Sequence, residues 1–222
     1  MGKTIDIEAS DGHLLGAYVA HPGAKVRGNL VVVQEAFGVT AYIRSVCDAY
    51  ARDGYVSIAP ALYDRQRRNA VFDDISLPAA LEAGRRLRAG LEWPEVLLDV
   101  RAAIDAVKSP ERRVGIVGFC VGGSVAWLAA LSLPVAAASC YYGRDVVDFL
   151  QPPKCPVQLH FGERDPIIPL GDVERIRAAL PDIPAWLYPA GHGFDGPGER
   201  HHAASAQLAR ERTLELFRLH VG

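Results

Sequence analysis

The organising stretch of the sequence is VGIVGFCVGGSVA, residues Val114–Ala126. An apolar, β-branched run ends at a glycine, one reactive side chain follows at Cys120, and small residues then begin a helix-compatible run. This pattern predicts a nucleophile elbow, a sharp turn between a strand and a helix. The flanking glycines leave room for strained backbone, and the N-terminus of the helix would stabilise a thiolate and an oxyanion. A buried structural cysteine is the alternative interpretation.

The composition sets the class of protein. The chain has 222 residues, of which 50% are hydrophobic and 23% charged, and its formal net charge is −2. These values predict one globular domain over residues 1–222. No run of like charges indicates a nucleic-acid or membrane partner, and no apolar run approaches the roughly 20 residues of a membrane span. No secretory signal is visible, and the four cysteines are widely spaced, so we expect free thiols in a cytoplasmic protein.

Strand and helix patterns alternate along the chain. Asp11-Gly12 joins two segments of alternating polarity, which predicts an N-terminal antiparallel hairpin. Further predicted strands are Leu30–Val33, Tyr55–Ala59, the run that ends at the elbow, Val135–Tyr142, Val157–Phe161 and Ala185–Tyr188. Predicted helices are Ala41–Arg52, Asp73–Gly90, Pro94–Val107, Gly122–Leu131, Asp172–Leu180 and Glu199–His220. This alternation predicts an α/β fold with a mostly parallel central sheet flanked by helices.

Reactive side chains follow four of the predicted strands, at Glu35, Cys120, Asp165 and His192. Ligands of parallel sheets bind beyond the carboxyl ends of the strands, so we expect these side chains to lie close together. Nucleophile, acid and histidine occur in the chain order of α/β-hydrolases. His192 would take the proton of the Cys120 thiol, and Asp165 would orient His192.

Two backbone amides are candidates for an oxyanion hole. The N–H of Val121 directly follows the nucleophile, and Ala36 lies in the loop after the strand Leu30–Val33. Glu35, beside that loop, is a carboxylate at the end of a buried strand, where it needs hydrogen-bond partners. It is either part of a structural ion pair or a second proton partner for Cys120.

Five short motifs occur in a fixed order along the chain. They are Gln34–Gly38 (QEAFG), 118–123 (GFCVGG), 141–143 (YYG), 162–165 (GERD) and 191–194 (GHGF). Together they resemble the dienelactone hydrolase, or carboxymethylenebutenolidase, family, and the resemblance runs from the first hairpin to the last helix. It implies an α/β-hydrolase fold and a monomer that works without metal or cofactor.

The resemblance also implies roles for the site residues. Cys120, Asp165 and His192 would form the catalytic triad, and Glu35 would accept the thiol proton when substrate binds. The oxyanion amides would come from the two candidates named above. Family members hydrolyse an enol-lactone to maleylacetate during the breakdown of chlorinated aromatic compounds.

Substrate recognition departs from the family pattern. Family members hold the substrate carboxylate with an arginine shortly after the triad histidine, whereas this chain has Asp195 there, which would repel a carboxylate. Arg85 or Arg86 is the candidate match for a second family arginine, and Phe37 and Tyr142 are further substrate-binding candidates. We therefore expect a cysteine-dependent ester or lactone hydrolase with weak activity on carboxylate-bearing lactones.

Two alternatives remain open at this point. The first is a non-catalytic protein of the same fold that binds a small ligand in the same pocket. The second is a thiol redox protein in which Cys120 forms a disulfide with Cys140.

Overall fold

A computed structural model describes residues 2–74 and 76–222, so Ile75, within the predicted helix Asp73–Gly90, lies outside the described residues. The chain forms two compact units, the first ending at Val114 and the second running from Gly115 to Gly222. In the described part of the chain, each unit contributes four β-strands and three α-helices. The single domain expected over residues 1–222 stays a prediction.

The first unit is built on a four-stranded sheet. Its strands are β1 (Lys3–Glu8), β2 (Leu14–Ala20), β3 (Gly28–Val33) and β4 (Tyr55–Pro60). β1 and β2 form the predicted antiparallel hairpin, β2 pairs antiparallel with β4, and β4 pairs parallel with β3. Every residue of β3 is buried, as expected for a β-branched strand that is covered on both faces.

Three helices accompany this sheet: α1 (Ala41–Arg52), α2 (Pro78–Ala89) and α3 (Trp93–Val107). α1 begins where the Thr40 hydroxyl accepts the Ile43 N–H at 3.3 Å, and it packs against β2, β3 and β4. α2 begins later than the predicted Asp73. Pro78 disfavours the helical conformation in the residue before it, and its own missing N–H suits a first-turn position.

The second unit contains the strands that carry the candidate site. These are β5 (Val114–Phe119), β6 (Ala138–Tyr141), β7 (Val157–Gly162) and β8 (Ala185–Tyr188). They pair in parallel in this order. β6 is shorter than the predicted Val135–Tyr142, because its pairing with β7 begins only at Ala138 and Tyr142 turns away with a φ of +37°.

The helices of the second unit are α4 (Val121–Ser132), α5 (Leu170–Ala179) and α6 (Ala203–His220). α4 is buried from Val121 to Ala130 and packs against β6, so it is a central helix without a solvent face over that length. α6 begins later than the predicted Glu199, because a short 3₁₀ turn covers Gly198–Arg200. None of the helices in the described ranges combines the length and the apolar character that a membrane span requires.

Candidate active site

Cys120 occupies the turn between β5 and α4 in a strained backbone conformation. Its φ of +55° and ψ of −117° lie where a non-glycine residue costs about 1–3 kcal/mol. Its N–H donates to the carbonyl of Tyr141 at 3.1 Å, and its own carbonyl accepts the Gly123 N–H at 2.9 Å. The surrounding hydrogen bonds therefore hold a reactive side chain in a conformation that cysteine would not adopt alone.

Glycines around the elbow are required by close backbone approaches. A Cβ at Gly118 would lie 1.8 Å from the carbonyl oxygen of Gly122, and a Cβ at Gly123 would lie 2.3 Å from that of Tyr141. Backbone atoms cannot yield locally to such contacts. The spacing of glycines in the GFCVGG motif is thus explained by the packing of α4 against β5 and β6.

Asp165 lies in the loop after β7 with both carboxylate oxygens engaged. Oδ1 accepts the N–H groups of Ile167 at 2.7 Å and Ile168 at 3.1 Å, and Oδ2 lies 2.7 Å from Nδ1 of His192. The Asp165 side chain is 0% exposed. The two backbone donors fix the carboxylate so that its second oxygen faces the histidine.

The loops after β7 and β8 are joined by backbone hydrogen bonds. The N–H of Glu163 donates to Tyr188 at 2.8 Å, and that of Arg164 donates to Ala190 at 3.0 Å. A Cβ at Gly162 would lie 2.5 Å from the carbonyl oxygen of Ala190. This close approach of the two loops sets the acid and the histidine at hydrogen-bonding distance.

His192 has an elevated pKa despite its burial. Its side chain is 12% exposed, and burial alone would lower the pKa. Interactions with Asp165 and Cys120 outweigh burial and raise the pKa to about 10, so the imidazolium form is favoured at neutral pH. Nε2 is buried and forms no aligned hydrogen bond with the described residues. The Cys120 side chain is therefore near enough to act electrostatically without completing such a bond.

Tyr142 packs beside the histidine and forms a hydrogen bond with Asp195. The Tyr142 ring centroid lies 4.9 Å from that of His192 and 5.4 Å from that of Phe194, and the Tyr142 hydroxyl donates to Oδ1 of Asp195. Asp195 thus has a phenol partner within the site, which sequence reasoning missed. The positive φ of Tyr142, which turns its ring toward the histidine, has no signal in the sequence beyond the glycine that follows it.

Val121 is the first residue of α4, where the backbone N–H has no acceptor within the helix. The amide is therefore suited to an oxyanion hole. One turn later, Ser124 Oγ donates to Oδ2 of Asp145 at 3.0 Å and accepts the Asp145 N–H at 3.0 Å. This reciprocal pair, which sequence reasoning also missed, fixes the start of the helix.

Three candidate site residues follow β3 in the first unit. Glu35 is 2% exposed and forms an isolated β-bridge with Gly38. Gln34 links this loop to the end of β4, since its Nε2 donates to the Glu35 carbonyl at 3.3 Å and its Oε1 accepts the Leu62 N–H at 3.1 Å. Ala36 is buried and Phe37 is half-buried. The roles of Glu35 as a proton acceptor, of Ala36 as an oxyanion donor and of Phe37 in substrate binding stay predictions.

Arg85 and Arg86 lie on α2, also in the first unit, and both are exposed. The Arg86 side chain is 77% exposed and pairs with Glu82 one turn away at 3.1 Å. The backbone of α2 at Gly84 lies close to the loop after β3, since a Cβ added at Gly84 would lie 2.5 Å from the Ala36 carbonyl oxygen. A role for either arginine in substrate binding stays a prediction.

All four cysteines are free thiols. Burial raises the pKa of Cys47 and Cys140, and it raises that of Cys155 to about 11. These three thiols therefore resist conversion to the nucleophilic thiolate. In residues 2–74 and 76–222, no group of three or more histidine, cysteine or carboxylate side chains is arranged to hold a metal ion.

Similarity to known proteins agrees with this geometry. The profile described as "Dienelactone hydrolase family" matches residues 15–221. The chain belongs to the dienelactone hydrolase family. A "Putative carboxymethylenebutenolidase" from Synechocystis is 33% identical to this family member over 91% of each chain, and the "Carboxymethylenebutenolidase" of Pseudomonas putida is 31% identical over 96% of this chain and 94% of its own.

A solved structure shows the same fold. The crystal structure of a "Putative Dienelactone Hydrolase" from Klebsiella pneumoniae superimposes with a TM-score of 0.83 at 30% identity, covering 97% of this chain and 98% of the other. The predicted α/β-hydrolase fold, with a mostly parallel sheet, flanking helices and an antiparallel N-terminal hairpin, is confirmed. This dienelactone hydrolase family member is a hydrolase of ester or lactone bonds.

Proposed function

We propose that the protein hydrolyses small esters or lactones through a Cys120 thioester. The observation that supports this most directly is the local geometry of the second unit. A cysteine in a strained elbow at a helix N-terminus interacts with a histidine whose other ring nitrogen lies 2.7 Å from a buried carboxylate. Nucleophilic catalysis needs a nucleophile, a proton carrier and a group that orients that carrier, and Cys120, His192 and Asp165 supply them.

Glu35 is the proposed second proton acceptor for Cys120. The raised pKa of His192 includes the charge of Cys120 as a thiolate, but the hydrogen bond and charge of Asp165 favour the imidazolium also while Cys120 is a thiol. An imidazolium already carries its proton, so generating the thiolate then needs a second acceptor. We assign this step to the Glu35 carboxylate when substrate binds, as the family resemblance implies. The enzyme would otherwise rest with a thiol, which is less reactive than a thiolate.

The proposed steps conserve protons. The Cys120 thiol gives its proton to Glu35, and the thiolate attacks the substrate carbonyl to form the C–S bond. As the ester C–O bond breaks, the imidazolium of His192 protonates the leaving oxygen. Neutral His192 then takes a proton from water, which attacks the thioester, and the acid is released as the C–S bond breaks. Glu35 finally returns its proton to the thiolate.

The negative charge on the carbonyl oxygen would be stabilised by backbone donors. The Val121 N–H at the start of α4 is one, and its helix dipole adds to the effect. The Ala36 amide is the proposed second donor.

Recognition of the substrate is proposed from the remaining candidates. Phe37, Tyr142 and either Arg85 or Arg86 are the proposed substrate-binding residues. Asp195 would disfavour substrates that carry a carboxylate, including the dienelactone of the family. Action in aromatic-compound degradation, a monomeric state and a cytoplasmic location stay predictions.

The decisive experiment replaces the proposed nucleophile. We expect Cys120→Ala to lower kcat/KM on an activated ester by about a thousandfold or more, because no thioester can form. The parent should gain the mass of the acyl group on the Cys120 peptide when it is mixed with a slowly deacylating ester. Cys47→Ala removes another buried thiol and should retain full turnover. Equal turnover of Cys120→Ala and the parent would reject the proposal, and ligand binding without acylation would favour the non-catalytic alternative.

Glu35 is tested by alkylation of Cys120. Glu35→Gln keeps the size of the side chain and removes the proton acceptor, so we expect the pH profile of iodoacetamide alkylation at Cys120 to shift. In the presence of a substrate analogue, the parent should be alkylated faster than it is alone, and the variant should lose this response. An identical profile in both proteins would favour the structural ion pair.

A further inference from the structure

A chain of hydrogen-bonded side chains runs through the interior of the second unit, and the proposed mechanism does not use it. His160, Ser139 and Thr213 are 0% exposed, and Tyr141 and Tyr188 are nearly as buried. Buried polar groups need partners, and a partly satisfied network destabilises a protein more than an apolar core does. A fully satisfied network holds the surrounding backbone in one arrangement.

At one end of the hydrogen-bond network, Arg212 fixes the direction of the bonds. Arg212 can only donate, and its Nη1 lies 3.0 Å from the Tyr188 hydroxyl oxygen. The hydroxyl proton of Tyr188 is then directed to Nδ1 of His160, at 2.8 Å. Burial and the nearby Arg212 charge lower the pKa of His160 to about 3, so the ring is neutral. Nδ1 accepts, and the single ring proton is on Nε2.

The other end agrees with this direction. The Ala209 carbonyl can only accept, and Thr213 Oγ1 donates to it at 2.9 Å. Thr213 therefore accepts from the hydroxyls of Ser139 and Tyr141, each at 2.8 Å. Ser139 in turn accepts from Nε2–H of His160 at 3.1 Å. The Gln158 amide also donates to Ser139 at 3.4 Å and to Thr213 at 3.3 Å, and Nε2 of His160 lies 3.4 Å from Thr213 Oγ1. Because Arg212 donates to Tyr188, only the Nε2–H tautomer of His160 gives the Tyr188 hydroxyl proton an acceptor within this network.

The hydrogen-bond network reaches the residues that shape the active site. The Tyr141 carbonyl accepts the N–H of Cys120 at 3.1 Å. The Tyr142 N–H donates to the His160 carbonyl at 2.7 Å, while the Tyr142 ring packs 4.9 Å from that of His192. Two consecutive tyrosines thus connect the network to the site. The Tyr141 hydroxyl belongs to the network, and the Tyr142 ring packs against His192.

We propose that the hydrogen-bond network, which runs from Arg212 through His160 to Thr213, positions the active site. It holds the Tyr141-Tyr142 corner, and this corner in turn aligns Cys120 and His192. This inference rests on the proposed role of Cys120 as nucleophile. Thr213 is the branch point, because its hydroxyl accepts from Ser139, Tyr141 and Gln158 and anchors them to α6. It touches neither substrate nor the reacting atoms, so it is a positioning residue.

The test removes the branch-point hydroxyl. Thr213→Val keeps the side-chain volume and removes the acceptor that the Ser139 and Tyr141 hydroxyls share. We expect kcat to fall by about ten- to a hundredfold, because small displacements of reacting groups have effects of this size. KM should change by less than about twofold, since substrate contacts are intact. Thr213→Ser should restore kcat, and Tyr141→Phe, which removes only one donor, should lower it less.

A matched control separates positioning from stability. Ser57 on β4 also has a buried hydroxyl, which donates to the Cys47 carbonyl at 2.7 Å in the first unit. Ser57→Ala should lower the thermal midpoint to an extent comparable with Thr213→Val but leave kcat unchanged. Parent-like kcat in Thr213→Val, or failure of Thr213→Ser to restore it, would overturn the proposal.

The histidine tautomer gives a readout that does not depend on turnover. Nitrogen-15 NMR of the parent should show His160 as the neutral Nε2–H form, and Thr213→Val should shift this resonance. A neutral Nδ1–H form, or an unshifted resonance in Thr213→Val, would overturn the network. Turnover retained by Cys120→Ala would instead overturn the proposed function while leaving the parent resonance as expected.

Discussion

The His192 side chain is 12% exposed and His160 is fully buried, and the pKa values of these two histidines of the second unit move in opposite directions. His192 lies in the loop after β8, and its Nδ1 faces the Asp165 carboxylate at 2.7 Å, with Cys120 nearby. His160 lies within β7, and its partners are the hydroxyls of Tyr188 and Ser139. The pKa of the first rises to about 10 and that of the second falls to about 3.

The comparison shows that burial alone does not set the charge of a histidine. Burial disfavours the imidazolium in both places, and only a nearby negative charge reverses the effect. The hydroxyl partners of His160 can take either hydrogen-bonding role, but they bring no charge to stabilise an imidazolium. His192 thus favours the charged form that the proposed mechanism needs, while His160 is held neutral as a fixed link between β6, β7 and β8.

Asp165→Asn should reduce the pKa difference between the two histidines most strongly. The amide keeps the shape of the side chain but removes the charge and can present a donor to Nδ1, which disfavours the required tautomer. We expect kcat/KM to fall roughly a thousandfold and the pKa of His192 to drop well below its parent value. Histidine NMR titration and ester kinetics measure both effects.

The control for this substitution lies in the same spectra. The neutral His160 resonance should be unchanged in Asp165→Asn, because no partner of His160 is altered. If the pKa of His192 stayed near 10 in this variant, the carboxylate would not be the source of the elevation.

The two histidines should also make stability depend on pH in different windows. His160 has a folded-state pKa below that of an unfolded histidine, so its contribution is lost as pH falls below about 6.5 toward 3. His192 has a raised folded-state pKa, so its contribution is complete below about pH 6.5 and is lost as pH rises toward 10. Each slope is at most about 1.4 kcal/mol per pH unit for one proton.

Urea unfolding across pH checks these windows. His160→Gln should reduce the loss of unfolding free energy between pH 6.5 and 4.5, and His192→Gln should reduce the loss between pH 7 and 10. The difference in slope from the parent is the measured quantity, so a general destabilisation by either substitution does not obscure it. Parallel curves for parent and variant would contradict the assigned pKa shift.

Much of this comparison could be predicted from the sequence, since glycines and strand ends carry strong local signals. The elbow at Cys120, the acid at Asp165 and the histidine at His192 each follow a predicted strand and stand beside a glycine or a turn. Chain order then suggested their roles. The 2.7 Å approach of Asp165 to His192 confirms that the predicted strand ends bring these two residues together.

The interior network had no comparable signal. Ser139, His160 and Thr213 are separated by many residues and meet only through the register of β6 and β7 and the packing of α6. A single histidine within a predicted strand does not reveal its partners. The direction of its hydrogen bonds depends on Arg212 and on the Ala209 carbonyl, which only a three-dimensional structure places next to the chain.

Asp195→Asn gives the smallest expected effect, because the proposed role of Asp195 is limited to the choice of substrate. Its carboxylate accepts a hydrogen bond from Tyr142. Asp195→Asn keeps an acceptor for that phenol while removing the negative charge. We expect kcat/KM for a carboxylate-bearing lactone to rise by about threefold to tenfold relative to the parent, and that for a neutral ester of similar size to change little.

Asp195→Arg should raise the preference for the charged lactone further, but it would lose the hydrogen bond with Tyr142. If the parent already hydrolysed the charged lactone as fast as the neutral ester, Asp195 would have no part in selectivity, and another residue would bind the carboxylate.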